Sequence, residues 1–180
     1  MPTYPPLETL GNRIVILGPS NAGKSTLAQA IGHKRGLTPI YLDLLRFQPH
    51  TKWVARSWEE FVTLHDAAIA EDDWVMEGNY ETVFPQRFAR ATAIIALGGN
   101  RWLRFWRYVG RTMSATPRVG NLEGNRDSLT WNMTHWVLIE SPKNTKRYIN
   151  MASETGLPLI TCLSARNLNA LYRSWGLSRD

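Results

Sequence analysis

Cysteine occurs once in this chain, at Cys162. No internal disulfide can form, and a reducing cytoplasm is the expected setting. Cys162 lies in the apolar run LITCL, where a small buried side chain is expected rather than a reactive thiol. No apolar run approaches the ~18 residues that a bilayer-crossing helix needs, so no membrane partner is expected. The opening MPTYPPLETLGN joins no basic segment to a long apolar run, so no export signal is expected either. Histidines are few and scattered, at His33, His50, His65 and His135, without zinc-ligand spacing. There is no internal repeat and no low-complexity segment. Lysine is scarce beside arginine, 5 against 16.

What remains is ordinary globular material, 43% hydrophobic and 20% charged over 180 residues, enough for one domain with a sizeable core. The net charge is +6, carried by arginine. A basic surface can serve nucleic acid, or a pocket for a triphosphate and a second anion. Arginine grips phosphate oxygens in a fork, which favours it over lysine at such sites. Composition does not separate these readings.

Residues 18–26 read GPSNAGKST, the pattern G-x-x-x-x-G-K-S followed by threonine. The apolar run RIVIL precedes it, and KSTLAQAIGHK continues in a helical pattern. Strand, glycine-bearing loop and helix in that order is the context a phosphate-cradling loop requires. Backbone N–H groups from Asn21, Ala22, Gly23, Lys24, Ser25 and Thr26 would wrap the β-phosphate, aided by the helix dipole. Gly18 and Gly23 permit backbone shapes that a Cβ would obstruct. Lys24 should reach the β- and γ-oxygens, and Ser25 should place its hydroxyl on Mg²⁺.

Strands alternate with helices thereafter. Strands are expected at 39–42, 74–76, 92–97 and 157–163, after the first at 13–17. Helices are expected from the S-W-E-E capping box at Ser57 to about residue 70, and over 81–91, 100–115, 128–138, 143–155 and 164–175. Residues 1–11, rich in proline, read as a loose lead-in. This alternation predicts an α/β fold, a five-stranded parallel sheet sandwiched by helices. Ligands in such sheets sit at the carboxyl ends of the strands. Asp43, Glu77 and Asn79 should therefore converge on the loop. Glu77 and Asp43 are both candidates: one could position a metal-bound water and the other accept a proton from an acceptor hydroxyl. Each could instead simply cap a strand.

In RWLRFWRYVGR, Arg101, Arg104, Arg107 and Arg111 fall within about a third of a helix circumference. Trp102, Phe105, Trp106 and Val109 fall opposite. The expectation is one packed aromatic face and one arginine face, a phosphate clamp or else plain surface. The stretch 112–127, with Arg118, Arg126 and two glycines, reads as an arginine-bearing lid or an ordinary loop. Trp53, Trp58, Trp131, Trp136 and Trp175 read as core or cleft wall.

GPSNAGKST, YLDLLRF, the S-W-E-E-F helix start, WVMEGNY and RWLRFWR, in this order, resemble the small P-loop kinases of the adenylate kinase and shikimate kinase kind. The chain looks most like the bacterial DNA topology modulation proteins, or adenylate kinase-like ATPases, over roughly residues 13–175. The resemblance implies the P-loop, nucleoside-monophosphate-kinase-like fold with a lid, and ATP with Mg²⁺ as cofactors. Lys24 and Ser25 would be the phosphate and magnesium residues, and Asp43 would face acceptor or metal. Arg107 and Arg111 would touch phosphate or adenine, and the stretch around Ser164–Leu168, including Arg166, would hold the adenine ring. Two departures stand out. Glu77 takes the place of the usual aspartate, and Leu97-Gly98-Gly99-Asn100-Arg101 replaces an Asp-x-Pro-Arg pattern. No base-specific pocket of a nucleoside monophosphate kinase is evident. The expected partners are a nucleoside triphosphate and an unidentified small-molecule acceptor, with nucleosides and nucleotides among the candidates. The alternative is an ATP-switched nucleic-acid-associated protein or a plain ATPase. No helix-turn-helix, zinc finger or RNA-binding signature supports that alternative.

Overall fold

A computed structural model describes residues 3–51, 53–113, 120 and 141–179. Its centre is a parallel five-stranded sheet in the order β2-β3-β1-β4-β5. The strands are β1 (Arg13–Leu17), β2 (Thr38–Tyr41), β3 (Trp74–Glu77), β4 (Ala93–Leu97) and β5 (Leu159–Cys162). The helices are α1 (Lys24–Arg35), α2 (Leu42–Arg46), α3 (Trp58–Ala70), α4 (Phe84–Arg90), α5 (Arg101–Met113), α6 (Ser141–Ser153) and α7 (Ala165–Trp175). Single 3₁₀ turns cover Leu7–Leu10 and Glu81–Val83.

Successive strand residues point to opposite faces, and here both faces are covered. In β1, Ile14 and Ile16 enter one apolar cluster with Leu27 and Ile31 of α1 and Leu171 and Trp175 of α7. Val15 and Leu17 enter the other, with Phe61 of α3, Phe84 of α4 and Tyr148 of α6. All four of these β1 side chains are fully buried. β4 and the buried part of β1 therefore read as unbroken apolar runs rather than as alternating ones, while the edge strand β2 stays partly exposed.

Ser57 caps α3 as expected, but the reciprocal half of the capping box is replaced by an ion pair. Ser57 Oγ accepts from the Glu60 N–H at 3.1 Å, and the Glu60 carboxylate meets Arg56 Nε at 2.9 Å. The helix expected over 81–91 is a 3₁₀ turn followed by α4, with Pro85 in its first turn, where a missing N–H costs nothing. The expected helix at 128–138, with Trp131 and Trp136, lies outside the described residues, as do Arg118 and Arg126 of the expected lid.

The lead-in is not loose. Leu7 and Leu10 are each 2% exposed and belong to the α1–α7 cluster. Tyr4 Oη donates to the Asn167 carbonyl at 3.0 Å, and Trp175 Nε1 donates to the Pro5 carbonyl at 2.8 Å. Two leucines three residues apart share one side of a 3₁₀ turn, and that spacing outweighs the prolines before it. Cys162 is buried beneath this segment, its Sγ 3.6 Å from Tyr4 Oη, and burial raises its thiol pKa.

Truncating Leu10 tests the packed lead-in. Leu10→Ala should lower unfolding free energy by about 2–4 kcal/mol in urea titration, the range for a buried leucine. A loss below about 0.5 kcal/mol, typical of surface changes, would mean the segment carries no packing load.

Candidate functional site

The phosphate loop leaves β1 at Gly18 and enters α1 at Lys24. Gly18 has φ 144°, and a Cβ there would lie 2.6 Å from the Leu97 carbonyl, so no other residue fits. Asn21 takes φ 61°, a left-handed shape that asparagine tolerates better than most residues. Its Nδ2 is buried with no hydrogen-bond partner among the described residues.

The exit of β3 grips this loop at two points. Ser25 Oγ donates to Glu77 Oε1 at 2.7 Å, and Lys24 Nζ lies 3.8 Å from Glu77 Oε2. Asn79 holds the other end: its Oδ1 accepts from the Gly18 N–H at 3.0 Å, and its Nδ2 donates to the Gly18 carbonyl at 2.7 Å. Asn79 was expected in the cleft with Glu77, and it does meet the loop. Its amide serves the loop backbone, a clamping role the spacing did not reveal. Glu77 is 6% exposed, and burial raises its carboxyl pKa against the opposing pull of Lys24. The charge of Asp43 pushes the same way as burial, and the Ser25 hydrogen bond opposes it.

Asp43 does not end a strand. It stands in the first turn of α2 and is exposed. Tyr80 Oη donates to Asp43 Oδ1 at 2.6 Å. Burial, then the Asp43 charge, holds the Tyr80 phenol well above its ordinary pKa, so it remains a donor. The Tyr80 ring is fixed by Phe61 at 4.9 Å between centroids and by Trp58 at 6.5 Å. Beside it, the Arg46 guanidinium stacks 4.4 Å over Trp58. Trp58 is thus a wall residue, while Trp175 belongs to the core.

Helix α5 corrects the expected division into an arginine face and an aromatic face. Arg104 is 2% exposed, whereas Trp102 and Trp106 are 55% and 64% exposed. The helix packs along the seam between the two expected faces, through Arg104 and Tyr108. The reason is a backbone acceptor: Arg104 Nη1 donates to the Ser20 carbonyl of the phosphate loop at 3.3 Å. A guanidinium can be buried where a carbonyl receives it, which periodicity alone does not register. Arg101 and Arg107 remain exposed, and the side chain of Arg111 is not among those described.

Arg107 and Arg104 line a small cleft, about 10 Å³, with Ala22, Gly98, Gly99, Asn100, Leu103, Ser164, Ala165 and Leu168. It lies at the carboxyl ends of β4 and β5, on the opposite side of the loop from Asp43. Ser164 caps α7 by accepting from the Asn167 N–H at 3.1 Å, and Arg166 in the first turn is exposed. Gly120 comes against the loop, where a Cβ would lie 2.9 Å from Tyr41 Cδ1 and 3.3 Å from Ser25 Cβ.

The oxygen donors around the loop suit magnesium, which takes one or two carboxylates plus substrate phosphates rather than a full protein cage. Among the described residues no three His, Cys, Asp or Glu side chains gather into a separate metal site. No described helix is long and apolar enough to cross a membrane.

Asn79→Ala should remove both bonds to Gly18 and leave two backbone groups unpaired. Mg-ATP affinity, measured calorimetrically, should fall at least about tenfold, in line with the ~1–3 kcal/mol cost of an unsatisfied buried group. An unchanged affinity would mean that the loop holds its shape without the clamp.

No protein-family model and no curated protein matches the chain. Solved structures do. A protein of Chloroflexus aurantiacus described as a "putative kinase", solved at 1.70 Å, aligns with a TM-score of 0.55 at 16% identity, covering 91% of this chain and 96% of that one. A gluconokinase from Sinorhizobium meliloti aligns with a TM-score of 0.43 at 14% identity, covering 79% of this chain and 98% of that one. The five-stranded parallel sheet flanked by helices, with the strand order and phosphate loop above, is an α/β fold of the P-loop kinase-like type.

Proposed function

We propose that this chain transfers the terminal phosphoryl group of Mg-ATP to a hydroxyl of a small molecule. The observation that carries the reading is the contact of Ser25 Oγ with Glu77 Oε1 at 2.7 Å, with Lys24 Nζ beside it, at the mouth of a phosphate loop. That contact sets one hydroxyl, one carboxylate and one ammonium where a triphosphate's terminal oxygens would lie. Ser25 and Glu77 would hold magnesium there, and the ion would supply positive charge against the phosphate oxygens.

In this reading the loop N–H groups bind the β-phosphate and Lys24 follows the charge on the γ-phosphate. Ser25 and Glu77 hold the metal and its water. The extra methylene of Glu77 over aspartate is taken up in reaching Ser25 directly. Arg107 adds positive charge from the side of the β4–β5 cleft, which receives the base, with Arg166 near its rim. Asp43 accepts the proton of the acceptor hydroxyl, and the Tyr80 hydroxyl keeps one carboxylate oxygen oriented. The segment 112–127, with Arg118 and Arg126 and with Arg111 just before it, would close over the triphosphate and exclude water, the competing acceptor. The likeness to kinases of the same fold supports a kinase only at that coarse level, since fold does not fix chemistry. The resemblance to the adenylate kinase-like ATPases rests on the motifs alone.

The test is ADP production from Mg-ATP across pooled nucleosides, nucleotides, sugars and small acids, with Lys24→Ala as blank. At least one pool should raise ADP above the level with water, and Lys24→Ala should abolish the rise. Asp43→Asn should then lower acceptor-dependent kcat by about 100-fold or more, the reach of a general base, with ATP affinity within about twofold. If ATP binds but no pool raises turnover, the transfer reading is wrong. Binding to DNA that weakens steeply with salt would then favour the nucleic-acid switch over a plain ATPase.

A further inference from the structure

Helix α4 carries a residue that no sequence pattern singled out. Arg87 is 0% exposed, and its Nη1 donates to the Gly78 carbonyl at 3.0 Å. Its Nε and Nη2 have no hydrogen-bond partner among the described residues. Its Cζ lies 5.0 Å from the Phe84 ring centroid, and the buried His65 imidazole and Glu77 carboxylate are near enough to feel its charge. Burial lowers its pKa to about 9, and the Glu77 charge opposes that fall. As a core residue this is a poor choice, because an apolar side chain of similar reach would bury at less cost.

The peptide that Arg87 holds explains the choice. Gly78 stands between Glu77, which meets Ser25 and Lys24, and Asn79, which clamps Gly18. It has φ 134°, and a Cβ on it would lie 2.8 Å from Leu42 Cβ, so only glycine fits there. Glycine is also the residue least able to restrain its own peptide. A hydrogen bond to its carbonyl supplies that restraint. We propose that Arg87 is a positioning residue for the nucleotide site: by anchoring the Gly78 carbonyl it aims Glu77 at one end of the phosphate loop and Asn79 at the other.

The inference rests on the nucleotide reading of the loop but not on any acceptor. Its test is therefore a binding measurement, the Kd of Mg-ATP in a double-mutant cycle of Arg87→Met with Asn79→Ala. Arg87→Met should weaken Mg-ATP by about tenfold or more. The double variant should be no more than about twofold worse than the weaker single one, because Arg87 acts on the loop through the Asn79 clamp that Asn79→Ala already removes. Arg87→Lys, which keeps charge and a donor, should recover binding to within about threefold of the wild type. If Arg87→Met does not fold, Arg87→Gln takes its place in the cycle. Additive losses, an unweakened Kd, or failure of Arg87→Lys either to fold or to recover binding would assign Arg87 to packing alone and overturn the proposal. A wild-type chain that does not bind Mg-ATP would instead sink the nucleotide reading itself.

Discussion

The site depends on the register between two neighbouring strands. In β1 and β3, Ile16 stands opposite Glu77. Two residues further on, the chains have left the sheet, yet Gly18 and Asn79 still meet and exchange two hydrogen bonds. The phosphate loop is thus an extension of a parallel ladder, closed by a side-chain amide where main-chain pairing stops. A slip of one residue between β1 and β3 would turn Glu77 to the other face and leave Ser25 without its partner. The interleaved apolar packing of Ile14 and Ile16 against one helical layer, and of Val15 and Leu17 against the other, is what forbids that slip.

Holding a carboxylate and a guanidinium near the base of such a core carries a cost. Glu77 and Arg87 are both nearly or wholly without solvent, and burial disfavours the charged form of each. Neither is neutralised by a close ion pair to the other. Instead Glu77 is met by the Lys24 ammonium and the Ser25 hydroxyl, and Arg87 by a main-chain carbonyl. Buried charges of this kind contribute little net stability. Their effect is to fix directions: the carboxylate can face only the loop, and the guanidinium only the peptide beside it.

The loop and the strands were legible because their signals are local. GPSNAGKST between an apolar run and a helical pattern states its own context. The S-W-E-E box likewise names the start of α3, and Ser57 caps it as read. Whatever depended on who meets whom across the fold was not legible. Arg104 read as part of an arginine face, a clamp or plain surface, and nothing local announces that the Ser20 carbonyl, 84 residues away in sequence, receives it. Asp43 looked like a strand end because α2 is a single short turn of five residues with no periodicity to announce it. Asn79 was noticed for its position, but its role depends on register. Arg87 sits in a short helix that reads as ordinary, and nothing in FPQRFAR signals a buried tether.

The strand order also separates the two sides of the proposed reaction. The chain passes from β1 to one side of the sheet for β2 and β3, then crosses to the other for β4 and β5. The order reverses at β1, and open α/β sheets bind ligands at such a reversal. On the β4–β5 flank, Gly98, Leu103, Arg107 and Leu168 form a cleft with an apolar floor and a cationic rim. On the β2–β3 flank, Asp43, Tyr80, Arg46 and Trp58 form a polar, aromatic wall. A phosphoryl group passed between oxygens in line needs donor and acceptor on opposite sides of it. The two flanks supply those sides only if the loop between them is rigid. Rigidity comes from β3, whose exit segment touches the loop through Glu77 and Asn79 and touches Asp43 through Tyr80. One peptide segment therefore sets both the phosphate cradle and the orientation of the carboxylate that faces it, and a displacement of β3 would misalign the two together.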